Sequence, residues 1–163
     1  SSGSFLGSKS LFGAIESRLA ASDWVLLQFG HNDKTNTADD FHDNLTAMVT
    51  RVKAKGALPV LVTPVARAQF NGDQVAPQHV NSTGANLPEI VKQVASEQNV
   101  PLLDMTARTV QWLTELGPKG WQAFHALGTD VTHTNPAGAA VEAGFVRDLI
   151  VQAKLQPLVD RLR

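Results

Sequence analysis

The sequence predicts an α/β fold in which helices alternate with the strands of a parallel sheet. Three short, largely apolar runs carry this prediction, because such runs are typical of buried parallel strands: Trp24–Phe29, Pro59–Thr63 and Val100–Leu103. The segments between and after them show apolar residues at helical spacing. Strand–helix–strand connections are right-handed crossovers, so we expect helices on both faces of the sheet.

Five helices are predicted along the chain. They are expected at Leu11–Ala20, from Asp39 to Gly56, at Leu87–Gln98, at Thr106–Leu116 and from Pro136 onward. The second of these places Phe41, Leu45, Met48, Val49 and Val52 on one face, which predicts a buried stripe. Gly117–Gly120 should break the fourth helix, and Thr134 or Asn135 should cap the last one. Gln69–Asn86 is expected to be a loop.

Composition fits one globular domain over residues 1–163. The chain is 43% hydrophobic and 18% charged, which argues against disorder. A net charge of −1 without long charge runs gives no reason to expect nucleic acid or an anionic membrane as a partner. The absence of cysteine excludes disulfides, thiol catalysis and thiolate metal sites. No apolar stretch is long enough for a membrane span, and the first residues are not a signal peptide.

Two polar clusters lie where a catalytic loop would lie. Phe29–Asp33 follows the first predicted strand, and Asp130–Pro136 precedes the last predicted helix. Ligands of open α/β sheets bind beyond the carboxyl ends of the strands, which is where these clusters fall. The first cluster offers an amide that can bind an oxyanion, and the second a carboxylate three residues before a histidine. Together they indicate half of a hydrolase site.

These clusters resemble two characteristic blocks of the SGNH (GDSL-type) hydrolases. Thr63–Arg67 and His125–Ala139 add the T-P-V-x-R and H-x-L-G-x-D-x-T-H patterns of the rhamnogalacturonan acetylesterase branch. Blocks found together in the right order are far more specific than any one of them. The resemblance implies a flavodoxin-like, three-layer α/β/α fold with a parallel sheet.

The resemblance also implies catalytic roles. His133 would be the general base, Asp130 would orient its ring, and Asn32 would donate its amide to the oxyanion. Gly30 would allow close backbone approach, and Asp33 would support the loop by hydrogen bonding rather than react. Purely structural interpretations stay open, namely an Asx turn for the amide and a capped loop for the carboxylate and histidine.

Other polar and aromatic residues carry weaker signals. His31 and Arg67 are candidates for substrate contact, although a structural role fits Arg67 equally well. Trp112 and Trp121 could stack on a sugar ring, but packing is the more common fate. No histidine spacing of the H-E-x-x-H type is present, so we expect no metal site and no cofactor.

The nucleophile of this family is not found in the sequence. The resemblance calls for a Gly-Asp-Ser segment at the end of an apolar strand, and no serine of this chain follows Gly-Asp. Three predicted strands would also leave an unpaired sheet edge. We therefore expect a domain truncated at its N-terminus, with its first strands and the nucleophilic serine upstream. An N-terminal segment or a second chain would complete the sheet.

The predicted function is serine-type ester hydrolysis, with an acetylated carbohydrate or another small ester as substrate. Removal of acetyl groups from polysaccharide is what the resemblance implies. The alternative is a non-catalytic carbohydrate-binding or interaction domain that has lost its nucleophile. The resemblance also suggests a secreted or periplasmic protein.

Overall fold

The computed structural model describes residues 1–162, which form two compact units. The sheet unit comprises Ser1–Pro64 and His79–Leu103, and the C-terminal unit comprises Val65–Gln78 and the chain from Asp104 onward. None of the helices in the described part of the chain is long and apolar enough to cross a membrane.

Helices separate the short strands along most of the chain. The helices are α1 (Ser2–Leu6), α2 (Phe12–Glu16), α3 (Ala38–Ala54), α4 (Leu87–Glu97), α5 (Met105–Gly120) and α6 (Pro136–Gln152). The strands are β1 (Trp24–Gln28), β2 (Leu58–Val62), β3 (Phe70–Asn71), β4 (Gln74–Val75) and β5 (Leu102–Leu103). Short 3-10 turns lie at Trp121–Phe124, Ala126–Gly128 and Val159–Arg161.

The sheet unit is built on a parallel sheet with the strand order β1-β2-β5. Trp24 lies opposite Leu58 at the start of the first pair, and Leu61 lies opposite Leu102 in the second. Helices α3 and α4 provide the crossovers between these parallel strands. The predicted α/β class and parallel sheet are therefore confirmed.

The core of the sheet unit matches the predicted hydrophobic stripe. Phe41, Leu45, Met48, Val49 and Val52 of α3 are all inaccessible to solvent. They pack with β1, β2 and the apolar face of α4 in one cluster. All residues of β2 after Leu58 are buried, which means that both faces of this strand are covered.

Strand β1 is less covered than β2. Within residues 1–162, β2 is its sole hydrogen-bonded neighbour in the sheet. Leu26 at its centre is 42% exposed, and Ile15 and Leu11 nearby are exposed to a similar degree. An apolar groove of about 330 Å³ runs along β1 and is lined by Phe5, Phe12 and Leu26 among others.

Several predicted boundaries were wrong by a few residues, chiefly at the N-terminus. The segment before residue 7 forms α1, which the sequence did not predict, and Ser1 caps it in a capping box. The helix expected at Leu11–Ala20 is limited to Phe12–Glu16. Strand β5 is shorter than Val100–Leu103, because its pairing with β2 involves two residues.

The expected loop Gln69–Asn86 contains a small hairpin of β3 and β4. Gly72 at its tip has φ +63°, a conformation that favours glycine, and it follows an asparagine as hairpin turns often do. The expected helix Thr106–Leu116 begins at Met105 instead, capped by Asp104. Gly117 breaks it as predicted with φ +68°, but helical backbone resumes up to Gly120.

Candidate active site

The Asn32 loop leaves the carboxyl end of β1 and contains Gly30, His31, Asn32 and Asp33. Gly30 has φ +133°, and a Cβ at this position would come within 2.9 Å of the Pro64 ring. The backbone of Asp33 closes the loop by donating to the Gly30 carbonyl over 3.3 Å. This turn leaves Asn32 exposed at the end of the strand.

Asp33 anchors the Asn32 loop from the buried side. Asp33 is 1% exposed, and its side chain accepts three hydrogen bonds within the sheet unit. The Ser2 backbone N–H and hydroxyl donate to Oδ1 over 2.8 and 2.6 Å, and the Gly30 N–H donates to Oδ2 over 3.2 Å. The Asn81 amide donates to the Asp33 carbonyl oxygen over 2.9 Å. The loop that carries the exposed Asn32 is therefore held in place by hydrogen bonds to its neighbour Asp33.

A cavity of about 290 Å³ opens beside Asn32 within the sheet unit. Gly30, His31, Ser1 and Ser4 are among its lining residues, together with apolar side chains of the N-terminal helices. The His31 ring meets the His79 ring edge-to-face, with 4.6 Å between the ring centroids. The sequence prediction had not paired these histidines, because His79 lies in the long loop.

The second cluster is the Asp130–His133 turn in the C-terminal unit. One carboxylate oxygen of Asp130 organises the turn, accepting from the Thr132 N–H over 2.8 Å and from the His133 N–H over 3.0 Å. The other oxygen lies 2.8 Å from Nδ1 of the His133 ring. The backbone of Val131 is fixed as well, since its carbonyl accepts from the Ala68 N–H over 2.8 Å.

These bonds determine that Asp130 is ionised and which nitrogen of His133 donates to it. The pKa of the Asp130 carboxyl lies far below its usual value, because the His133 backbone N–H, the His133 ring and the Thr132 N–H all donate to it. An ionised carboxylate can only accept, so Nδ1 of His133 carries the proton. In the neutral form of the ring, the unprotonated nitrogen is therefore Nε2, which can accept a proton. The His133 side chain is 76% exposed and the Asp130 side chain 34%.

Helix α6 begins directly after the turn. Asn135 caps it by accepting from the Gly138 N–H over 3.0 Å, and its amide donates to the Ala123 carbonyl over 2.8 Å. A Cβ on Gly138 would collide with the carbonyl oxygen of Phe124. The close approach of α6 to the preceding segment therefore requires glycine at this position.

The remaining candidates have structural contacts. Arg67 is half-buried, and the Gln78 side chain bonds to both its backbone N–H and its carbonyl. Trp112 and Trp121 are each 8% exposed, so both are core residues of the C-terminal unit rather than stacking platforms. Among residues 1–162, no group of three or more His, Asp or Glu side chains is arranged to hold a metal ion.

Comparison with protein families and curated proteins identifies relatives. Residues 7–141 match the GDSL-like lipase/acylhydrolase family. The chain is 32% identical to rhamnogalacturonan acetylesterase RhgT of Bacillus subtilis, over 91% of this chain and 69% of that protein. It is 27% identical to the probable rhamnogalacturonan acetylesterase YesY of the same organism, over 91% of this chain and 71% of that protein.

Solved structures show the same fold. Protein YxiM of Bacillus subtilis superposes with a TM-score of 0.80 at 24% identity, covering 95% of this chain and 44% of that one. Acetylxylan esterase Axe2 of Geobacillus stearothermophilus gives a TM-score of 0.60 at 24% identity, covering 78% and 59%. The chain thus spans about half the length of these two solved proteins. The fold is the α/β/α fold of SGNH hydrolases.

Proposed function

Because the chain belongs to the GDSL-like lipase/acylhydrolase family, we propose that it carries part of the active site of a serine esterase. The proposed reaction removes acetyl groups from a polysaccharide. The observation that carries the proposal is the Asp130–His133 pair, with 2.8 Å between carboxylate and ring and a largely exposed histidine. Exposure on one side and a carboxylate on the other is the arrangement a general base requires.

The proposed mechanism uses Nε2 of His133 as the proton acceptor. It takes the proton of a serine hydroxyl as that oxygen attacks the ester carbonyl, and the tetrahedral intermediate forms. Collapse of the intermediate expels the sugar alcohol, which receives the same proton from His133. Water then hydrolyses the acetyl-enzyme by the same route. Asp130 stabilises the ring while it is protonated.

Asn32 is proposed as an oxyanion donor. Its exposed position on an anchored loop supports this role, because a donor must be held in place before charge develops. Gly30 and Asp33 support the loop that carries it. His31, which lines the same cavity, and Arg67 are proposed to contact substrate.

The nucleophilic serine is proposed to lie upstream of Ser1, on an apolar strand that pairs with the open edge of β1. The exposed Leu26 and the apolar groove along β1 support this, since a parallel strand is normally buried on both faces. Among the serines of this chain, none follows a Gly-Asp pair. A strand supplied by a second chain would satisfy the same edge.

The proposed substrate class is acetylated polysaccharide. Two relatives support it by their names, one a rhamnogalacturonan acetylesterase and the other an acetylxylan esterase. No cofactor enters this mechanism, because the serine, histidine and carboxylate supply both the covalent and the proton-transfer chemistry.

The test compares this chain with a version preceded by the residues that its gene encodes before Ser1. We expect the longer version to release acetate from acetylated pectin and to hydrolyse p-nitrophenyl acetate. His133→Ala and Asp130→Asn should each lower kcat about 1,000-fold or more. Asn32→Ala should lower it about 100- to 1,000-fold. Asp148→Asn, an exposed carboxylate on α6, is the matched control and should leave kcat unchanged.

Three outcomes would contradict parts of the proposal. Hydrolysis by this chain alone that depends on His133 would overturn the upstream position of the nucleophile. Activity of the longer version that survives His133→Ala would overturn the assigned base. A longer version that binds polysaccharide but cleaves no ester would instead support a non-catalytic carbohydrate-binding domain.

A further inference from the structure

We infer that His125 is a positioning residue that holds the Asp130–His133 turn from the side opposite to solvent. The inference rests on the proposed function, in which His133 is the base. His125 is 3% exposed, and its Nδ1 lies 2.9 Å from the carbonyl oxygen of Asp130. A buried polar side chain is expected to be hydrogen-bonded, and this bond goes to the backbone of the residue that orients the base.

The direction of this bond follows from chemistry. Burial lowers the pKa of the His125 ring and outweighs the carbonyl and charge of Asp130, which act in the opposite sense. The ring is therefore neutral near pH 7, with a single N–H proton that lies on one of its two nitrogens. A carbonyl oxygen can only accept, so the proton lies on Nδ1 and His125 donates.

The neighbouring backbone completes a clamp on the turn. The Ala126 N–H donates to the His133 carbonyl over 2.8 Å, and the Asp130 N–H donates to the Ala126 carbonyl over 3.1 Å. Both ends of the Asp130–His133 turn are thus tied to residues 125 and 126. The bond from the His125 ring comes from a side chain, whereas the other two bonds of this clamp are between backbone groups. A substitution of His125 can therefore remove this bond selectively.

The His125 ring is itself held by Trp121. The two rings meet edge-to-face at 89°, with 5.1 Å between their centroids. Trp121 is buried and donates from its indole nitrogen to the Pro118 carbonyl over 3.1 Å. A fixed tryptophan thus orients His125, which fixes the Asp130 backbone and with it the direction in which the carboxylate meets His133.

This arrangement assigns His125 a task distinct from packing. The carboxylate of Asp130 selects the Nδ1-protonated form of His133 only while its second oxygen faces the ring. If the Asp130 backbone were free to rotate, both protonated forms of the neutral His133 ring would be populated. Preorganisation of this kind affects catalysis through geometry of the base rather than through substrate binding.

The test uses NMR of the chain labelled with nitrogen-15, because ring nitrogens report which of them carries the proton. In the unaltered chain we expect Nδ1–H in both His125 and His133. His125→Phe keeps a ring of similar size but removes the donor, so His133 should show a mixture of the two neutral forms. His125→Asn should restore the single form, because its amide nitrogen takes the place of Nδ1. His42→Phe, in the sheet unit, is the matched control.

An Nε2 proton on His125 in the unaltered chain would overturn the inference without any variant. An unchanged His133 spectrum in folded His125→Phe would overturn it as well. If His125→Phe does not fold, the asparagine variant decides: retention of the single His133 form supports the inference, and a mixture contradicts it.

Activity supplies a second readout in the chain extended upstream of Ser1. There His125→Phe should lower kcat about 10- to 100-fold and leave KM within about twofold, with recovery in His125→Asn. A fall in protein stability with unchanged kcat would indicate packing alone and overturn the inference. Because the NMR signature needs no substrate, an inactive extended chain that still shows it would refute the proposed function and leave the positioning by His125 supported.

Discussion

The Asn32 loop and the Asp130–His133 turn are both built around an aspartate, but the two carboxylates are used in opposite ways. Asp33 is buried, and its carboxylate accepts from Ser2, 31 residues away in the chain. The side chain of Asp130 is about one-third exposed, and the partners of its carboxylate all lie within three residues. The carboxylate of Asp33 joins distant segments. The carboxylate of Asp130 instead organises a local turn with one oxygen and faces the His133 ring with the other.

The two carboxylates therefore differ in what they leave free for other groups. The buried carboxylate in the Asn32 loop has its oxygens occupied by hydrogen bonds from the chain, which suits it to hold Asn32 in place. The carboxylate of the turn keeps one oxygen for an exposed histidine. Substitutions should therefore affect the stability of the first region strongly, and the orientation of a side chain in the second.

The largest stability effect is expected at Asp33. Asp33→Asn replaces one acceptor oxygen by a donor that faces the N–H or hydroxyl groups now bonded to the carboxylate. We expect the free energy of unfolding of the sheet unit to fall by about 2–4 kcal/mol. Urea denaturation measures this fall, and hydrogen exchange of residues 1–6 and 29–34 locates it.

Asp39→Asn is the matched control, because Asp39 is an exposed carboxylate in the first turn of α3. Its expected effect is at most about 0.5 kcal/mol. Equal effects of the two substitutions would contradict the anchoring role of Asp33. Faster exchange confined to residues 130–135 would contradict the contrast between the two regions.

The same contrast explains how far the sequence alone was informative. Asp130, His133 and the Asn135 cap are bonded to residues close in the chain, so their spacing indicated the turn and the start of α6 correctly. The stripe of α3 was predicted because a helical period is also a local property. The parallel strands were located within one to two residues for the same reason.

Contacts between distant segments left no signal in the sequence. Neither the Ser2–Asp33 bond nor the Asn81–Asp33 bond could be read from spacing, because their partners are 31 and 48 residues apart. Helix α1 was missed since its five residues carry no helical period. The hairpin at Gly72 had a signal in its Asn-Gly pair, which the loop-like composition around it obscured.

A smaller effect is expected at Gly138, next to the Asp130–His133 turn. In Gly138→Ala the new methyl group would meet the Phe124 carbonyl oxygen and lie 2.9 Å from Cβ of Thr134. Because backbone must shift to relieve this contact, we expect the C-terminal unit to lose about 1–3 kcal/mol of stability. The His133 ring resonances should shift with it. Thermal unfolding and the NMR spectrum of the labelled chain measure the two changes.

Gly144→Ala is the control within the same helix. Nothing lies within 4 Å of a Cβ at Gly144, so alanine should stabilise α6 by about 0.5–1 kcal/mol. A Gly138→Ala variant as stable as Gly144→Ala would show that the close approach at Phe124 is not needed for the turn.

The smallest effect concerns pH and lies in the sheet unit, between α3 and α4. In the sheet unit, a hydrogen bond to Glu97, helped by one to Asp43, raises the pKa of His42 above its ordinary 6.5. A hydrogen bond from Gln93 and a weaker effect of the one from His42 lower the pKa of Glu97 below its ordinary 4.5. The stability that the His42 interaction contributes is fully present below the ordinary histidine pKa, and it is lost as pH rises through the raised pKa of His42. The stability that the Glu97 interactions contribute is fully present above the ordinary glutamate pKa, and it is lost as pH falls through the lowered pKa of Glu97.

Both contributions are therefore complete between about pH 4.5 and 6.5, where the ion pair between α3 and α4 is fully formed. Glu97→Gln should lower Tm most in this window and least above it, by a small amount because the pair is exposed to solvent. Glu89→Gln is the matched control on α4, because it removes an exposed ion pair that contains no histidine, the one to Lys92, and its effect on Tm should not follow the His42 window. A Tm difference for Glu97→Gln that does not change between about pH 5 and 8 would refute the assignment of His42 as its protonated partner.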